Sequence, residues 1–335
     1  MEGIVKHRLV AALASALLAL PAVAEVNEVR VFRQYTLPYL AVMVMEDQKL
    51  LEKQGKARGI EVTGKWSVVS SPAAVNDALL SGNLDFACAG INAFLTIWDK
   101  TSAMSNPVLG VSAYNASPQL LNTRNPKVRS IRDFTAADKI AVPAVKVSYN
   151  ALILQMAAAK EFGLANHTKF DALTVALPQA EATAALISGM LEITANFSVP
   201  PYQYLQLQNK NIRTVLNSYE VLGGKATLGI IYTTKKFHDQ NPKTYAAFMA
   251  AYNEANELIK RDPVKAAGIY RKMSRDKAPE EFIIGMLRNP EIDFDPAPRR
   301  LMMLYDFMKK TGRLKTDAGS WKDVFLPEVH GEPGS

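Results

Sequence analysis

Hydrophobic positions along the chain switch repeatedly between a two-residue and a helical period. Val29 and Val31 alternate with charged residues in EVRVFRQ (28–34), which predicts a strand. LPYLAVMVMEDQKLLEKQG (37–55) reads as one helix, with Thr36 as its N-cap, Pro38 tolerated in the first turn and Gly55 as its stop. IEVTGKWSV, SPAAVNDALLSG, LDFACAG, a segment from Asn92 and NPVLGVSAYN follow as strand, helix, strand, helix and strand. This rhythm predicts a parallel sheet with helices on both faces.

A second round follows. PQLLNTR, KIAVPA (139–144), FDALTVAL, LEITANF and IRTVLNS read as strands, and IRDF as a short helical turn. Between them come the helices YNALILQMAAAKEFGL, AEATAALISG and PPYQYLQLQ, the first capped by Ser148. His238 reads as part of a loop leading into a helical tail: PKTYAAFMAAYNEANELIKRD, PVKAAGIYRKM, PEEFIIGML and APRRLMMLYDFMKKTG. Crossings between two lobes are expected at Tyr114–Gln119 and at the glycine-bearing stretch Leu222–Ala226.

The two rounds share a phrase. ALLSGNLDF (78–86) returns 107 residues later as ALISGMLEI (185–193), with Ala78/Ala185, Leu79/Leu186, Ser81/Ser188, Gly82/Gly189 and Leu84/Leu191 identical. Each copy reads as an amphipathic helix, a Ser-Gly stop and a buried strand that releases a loop, at Gly90–Asn92 and at Asn196–Val199. Ligands of open α/β sheets sit outside the carboxyl ends of the strands. Two lobes built alike and facing each other would set both loops on one cleft.

The first residues change the picture of where the chain works. A basic start (Lys6, Arg8), an apolar run from Leu9 to Leu20 and small residues at Ala22–Ala24 predict a secretory signal cut after Ala24. The run of about 12 residues is shorter than the roughly 20 needed to span a bilayer. A periplasmic protein is expected. The formal net charge of +7 becomes +6 on removal of Glu2, Lys6 and Arg8 (7 − 2 + 1). It is scattered rather than clustered, which argues against nucleic acid and leaves room for a small anionic ligand. Cys88 is the single cysteine, so no internal disulfide forms, and its apolar strand predicts a core position.

Catalytic signatures are absent. No G-x-S-x-G elbow or glycine-rich phosphate cradle is present, and His167, His238 and His330 lack metal-ligand spacing. Neither enzyme chemistry, a metal nor a cofactor is expected. Taken in order, the QYTLPYLAVMVMEDQKLLEKQG helix, AAVNDALLSGNLDFACAG, SIRDFTAADKIAVPAVKVSYNALILQMAAAKEFGL, AALISGMLEITANFSVPP and the SWKDVFLPEVHG finish resemble the periplasmic substrate-binding proteins of nitrate/sulfonate/taurine-type ABC importers. The resemblance covers almost the whole mature chain. It implies an α/β, two-lobed periplasmic binding protein fold of type II, each lobe a mixed, mostly parallel sheet flanked by helices. Lobe one would comprise 25–115 plus 228–335 and lobe two 116–227, closing by a hinge on one solute. The expected partners are that small-molecule solute and an ABC permease with its ATPase, with the protein itself a monomer. A sensor module for a membrane receptor remains the alternative role. A thiamine-pyrimidine precursor or an aromatic carboxylate remain alternative ligands to a sulfonate such as taurine.

Site candidates follow from helix starts, whose free N–H groups favour anions. Three are expected to face the cleft, at Thr36–Tyr39, Asn92–Phe94 and Val147–Tyr149. Asn92 and Ser148 read either as ligand donors or as plain N-caps, and Lys146 and Lys225 as ligand charges or solvated loop lysines. Gly90 and Val147 flank the helix starts. Tyr35, Tyr39 and Tyr114 offer apolar faces with polar tips, Gln34 and Asn115 stand at strand ends, and Asn196 and Ser198 are the picks in the second copy of the repeat.

Overall fold

The computed structural model describes residues 24–68 and 72–335. The signal read at 1–24 lies outside the described residues but for Ala24. Strands β1 (Glu28–Phe32), β2 (Thr63–Ser67), β3 (Ala87–Gly90) and β4 (Val108–Ala116) belong to the first round, and β5 (Leu120–Thr123), β6 (Ile140–Val142), β7 (Thr174–Ala176), β8 (Ala195–Ser198) and β9 (Arg213–Asn217) to the second. β10 (Thr227–Thr234) comes last. β1 runs parallel to β2, and Val31 bridges in parallel to Phe86 at the start of β3. β10 inserts antiparallel between β3 and β4. The first lobe therefore reads β2-β1-β3-β10-β4, and the second reads β7-β6-β8-β5-β9, parallel across β7, β6 and β8 and antiparallel on both sides of β5.

The two sheets thus have the same order and the same directions, position for position. The four first-round strands all run the same way, as expected, and the antiparallel β10 is what makes the sheet mixed. β4 does not lie beside β3, because a strand that returns from the second lobe takes that place. The sequence pattern predicts no strand at TLGIIYTT (227–234), although this run is buried along almost its whole length.

The helices are α1 (Leu40–Asp47), α2 (Leu50–Ala57), α3 (Pro72–Leu80), α4 (Ile91–Thr101), α5 (Tyr149–Phe162), α6 (Gln179–Ser188), α7 (Tyr202–Gln206), α8 (Ser218–Leu222), α9 (Lys235–Gln240), α10 (Pro242–Arg261), α11 (Pro263–Ser274), α12 (Glu280–Leu287) and α13 (Leu301–Lys310). The single helix expected over 37–55 is a 3-10 turn at Leu37–Tyr39 followed by two helices, broken where Lys49 takes φ 50°. Thr36 makes no side-chain capping bond there. Gly55 does not stop a helix but lets α2 come close to its neighbour: a Cβ on it would lie 2.4 Å from Val62 Cγ1. His238 stands in α9 rather than in a loop. Cys88 is fully buried, as expected.

The exposed edge of β4 is covered by the returning tail, which leaves no open row of peptide groups there. Ala113 N–H donates to Pro296 O at 2.9 Å and Leu326 N–H to Gly110 O at 2.9 Å. His238 ties that tail down through Glu328 (2.8 Å) while also facing Asp239 (2.9 Å). Burial lowers the imidazole pKa, but the hydrogen bonds to Asp239 and Glu328 outweigh it and leave it above the ordinary 6.5. A raised folded-state pKa gives stability that is complete below the unfolded value and fades as pH rises through the folded one. Urea denaturation should therefore show wild type more stable than His238→Gln at pH 5.5, with the gap shrinking by pH 8.5. A gap that widens with pH would refute the assignment.

Candidate functional site

The carboxyl ends of β3 and β6 point at each other across the lobes. β3 ends at Gly90, which is the N-cap of α4 and makes no side-chain bond. β6 leads through Pro143–Val147 to Ser148, whose hydroxyl accepts from Ala151 N–H at 3.3 Å and so caps α5. Asn92 is not a cap. It is the second residue of α4, and its Nδ2 donates across the seam to Val147 O at 2.5 Å. Tyr149 answers from the other side, its hydroxyl donating to Thr227 O at 3.2 Å. The approach is close: a Cβ on Gly90 would lie 3.3 Å from Tyr149 Cβ.

Asn150 holds the same second position in α5 that Asn92 holds in α4. Both are buried, and Asn92 Oδ1 and Asn150 Nδ2 have no hydrogen-bond partner among the described residues. Buried amides normally find partners. One unsatisfied acceptor and one unsatisfied donor, from opposite lobes, mark this seam as a place with polar capacity to spare.

The other candidates fall into four places. Gln34 and Tyr35 follow β1, with Tyr35 exposed under the Arg33 guanidinium at 4.6 Å from the ring centroid. Tyr39 and Tyr114 turn into the first lobe, ring centroids 5.0 Å apart, and Tyr39 hydroxyl donates to Cys88 O at 3.1 Å. Burial pushes both phenols and the Cys88 thiol far up, so all three stay neutral. Asn115 and Lys225 stand beside Asp293, Asn115 Nδ2 donating to its carbonyl at 3.0 Å and Lys225 Nζ to its carboxylate at 2.7 Å.

Asn196 and Ser198 lie on the α6 and α7 side of the second sheet. Ser198 Oγ donates to Gln179 Oε1 at 2.8 Å. Asn196 is 1 % exposed, and neither atom of its amide has a partner among the described residues. Around them runs a buried polar layer in which Asn122 Nδ2 donates to Gln206 Oε1, whose Nε2 donates to Thr183 Oγ1, each at 2.9 Å.

One seam residue escaped the sequence reading. Arg313, just past α13, reaches from the first lobe to the second. Its Nη2 donates to Gln155 Oε1 and its Nη1, at a long 3.5 Å, to Lys146 O. Burial lowers the guanidinium pKa against a smaller opposing pull from the Asp171 carboxylate, and among the described residues no carboxylate forms a direct ion pair with it. In KKTGR it looks like helix-tail charge, and nothing local to the sequence marks it. Among the described residues no group of His, Cys, Asp and Glu is arranged for a metal, and no helix is long and apolar enough to cross a membrane.

Comparison with known proteins agrees with this frame. The sequence model of the NMT1-like family matches residues 24–271. No curated protein matches the chain significantly. Among solved structures, the alkanesulfonate-binding protein SsuA from Xanthomonas axonopodis pv. citri bound to MOPS is similar at 18% identity and TM-score 0.67, over 88% of this chain and 96% of that one. The periplasmic aliphatic sulphonate binding protein SsuA from Escherichia coli is similar at 16% identity and TM-score 0.67, over 90% and 98%. The periplasmic nitrate-binding protein NrtA from Synechocystis PCC 6803 is similar at 14% identity and TM-score 0.68, over 90% and 85%. At these identities the likeness establishes the two-lobed periplasmic binding protein fold.

Proposed function

Because the chain belongs to the NMT1-like family, we propose that it holds one small solute between its lobes, unaltered, and delivers it from the periplasm to an ABC permease. The observation that carries this reading is the meeting of two helix starts from opposite lobes, with Asn92 Nδ2 on Val147 O at 2.5 Å. Both starts turn free N–H groups and the positive end of a helix dipole toward the seam. We take the solute to be a small organic anion of the sulfonate kind, with the lobes divided at 115/116 and 227/228. The orphan acceptor Asn92 Oδ1 and orphan donor Asn150 Nδ2 suit a molecule with both a donor and an acceptor, as in an aminosulfonate such as taurine.

Titration calorimetry and intrinsic fluorescence with taurine, MOPS, nitrate, benzoate and an aminopyrimidine test the reading. Saturable binding of a sulfonate with a fluorescence change is the expected result. Binding of benzoate or the aminopyrimidine alone would keep the solute-binding role and replace the ligand class. Silence across the whole panel would overturn both.

A further inference from the structure

We propose that Arg313 and Lys146 form a sprung catch that sets how firmly the lobes shut, with Arg313 a positioning residue that acts through the loop before α5. This deepens the solute-binding reading and rests on it for its biological meaning, but not for its test. Lys146 sits at φ 65°, a left-handed conformation that side chains other than glycine avoid. The two carbonyls that follow this bend are the ones the first lobe engages: Lys146 O by Arg313 Nη1 and Val147 O by Asn92 Nδ2. The bend is thus held from outside its own lobe. Opening the lobes removes both donors and lets the loop relax.

The guanidinium suits this task. Its two Nη groups serve separate acceptors, Lys146 O on the loop and Gln155 Oε1 on the body of α5, so it fixes the loop relative to its helix. Gln155 is itself steadied, its Nε2 donating to Asp171 Oδ1 at 2.8 Å. Among the described residues Arg313 makes no direct ion pair, and Asp171 acts on it only from beyond Gln155, so closing strips water from a cation in return mainly for two neutral carbonyls. Such a contact is weak enough to release.

The test uses the full mature chain with spin labels on Met104→Cys and Leu164→Cys, exposed positions on opposite lobes, while Cys88 is too buried to label. Pulsed dipolar spectroscopy without added solute reads the closed fraction directly. Arg313→Gln should move the population toward longer distances, and Arg313→Lys, with one ammonium for two acceptors, should recover only part of the shift. Lys146→Gly should move it the other way, by roughly threefold in the open–closed ratio, since glycine accepts the left-handed bend but gains flexibility when open. Distances in Arg313→Gln equal to wild type, or a Lys146→Gly variant that opens, would overturn the catch. Repeating the series with MOPS and with taurine separates the two readings: distance shifts as expected with no response to either probe would leave the catch standing and remove the sulfonate.

Discussion

Gly90→Val should lose solute affinity five- to a hundredfold while the protein stays folded. The backbone at Gly90 has φ −57° and ψ 150°, ordinary for valine, so the substitution brings no conformational strain of its own. What it does bring is volume at the seam. A Cβ alone would stand 2.9 Å from Asn92 Oδ1 and 3.3 Å from Tyr149 Cβ, and valine adds two methyl groups beyond it. Overpacking of a close contact costs about 1–3 kcal/mol. Within a single rigid core that energy would appear as lost stability. Here Tyr149 belongs to the lobe opposite Gly90 and Asn92, so the protein can relieve that contact by standing ajar, while turning the Asn92 side chain aside disturbs its bond to Val147 O across the seam, and the energy appears as lost affinity. Titration with whichever solute the panel identifies, beside a thermal melt, separates the two outcomes. Unchanged affinity would show that closure at Gly90 plays no part in holding the solute.

The two-lobed plan was legible because the chain states it twice. ALLSGNLDF and ALISGMLEI mark equivalent helix–strand junctions, and Gly82 and Gly189 both take the left-handed turn that ends the helix, at φ 71° and 81°. Past that turn the copies part. Five positions separate Gly82 from the start of β3 at Ala87, and six separate Gly189 from the start of β8 at Ala195. The extra residue is absorbed where Leu191 and Glu192 adopt φ 60° and 56°. So Leu84 is buried while its sequence match Leu191 is 59 % exposed. A slip of one residue also exchanges the faces of a strand. That is why Asn196 and Ser198, chosen by their place at a strand end, could not be assigned a direction from the sequence, and why the structure turns them toward α6 and α7.

Other features had no local signature at all. β10 finds both of its neighbours more than a hundred residues earlier, in β3 and β4. The seam is tied through Val147 O and Thr227 O, main-chain atoms that any residue type supplies. Side-chain chemistry at strand ends was readable; which carbonyl it would meet across the cleft was a property of the assembled fold.

Phe86→Ala should produce the largest loss of stability, about 3–5 kcal/mol by the usual cost of emptying a buried phenylalanine site. Phe86 is fully buried. Its ring stacks on Phe248 at 3.7 Å and meets Phe237 edge-on at 5.2 Å. Its backbone also joins β1 to β3, through Phe32 N–H to Phe86 O and Phe86 N–H to Arg30 O, both 3.1 Å. Removing the ring opens a void where the sheet meets α10, and the neighbouring rings are too rigid to fill it. On the α6 side of its sheet the second lobe packs Ala141, Ala182, Ala185, Leu186, Ile193 and Ile212, with no matching aromatic stack among the described residues. The damage should therefore stay in the first lobe. Calorimetric melting of the variant should split into an early transition, roughly 10 °C or more below wild type at this scale of loss, and a later one near the original temperature. A single transition shifted by only a degree or two would mean that the stack contributes far less than its burial implies.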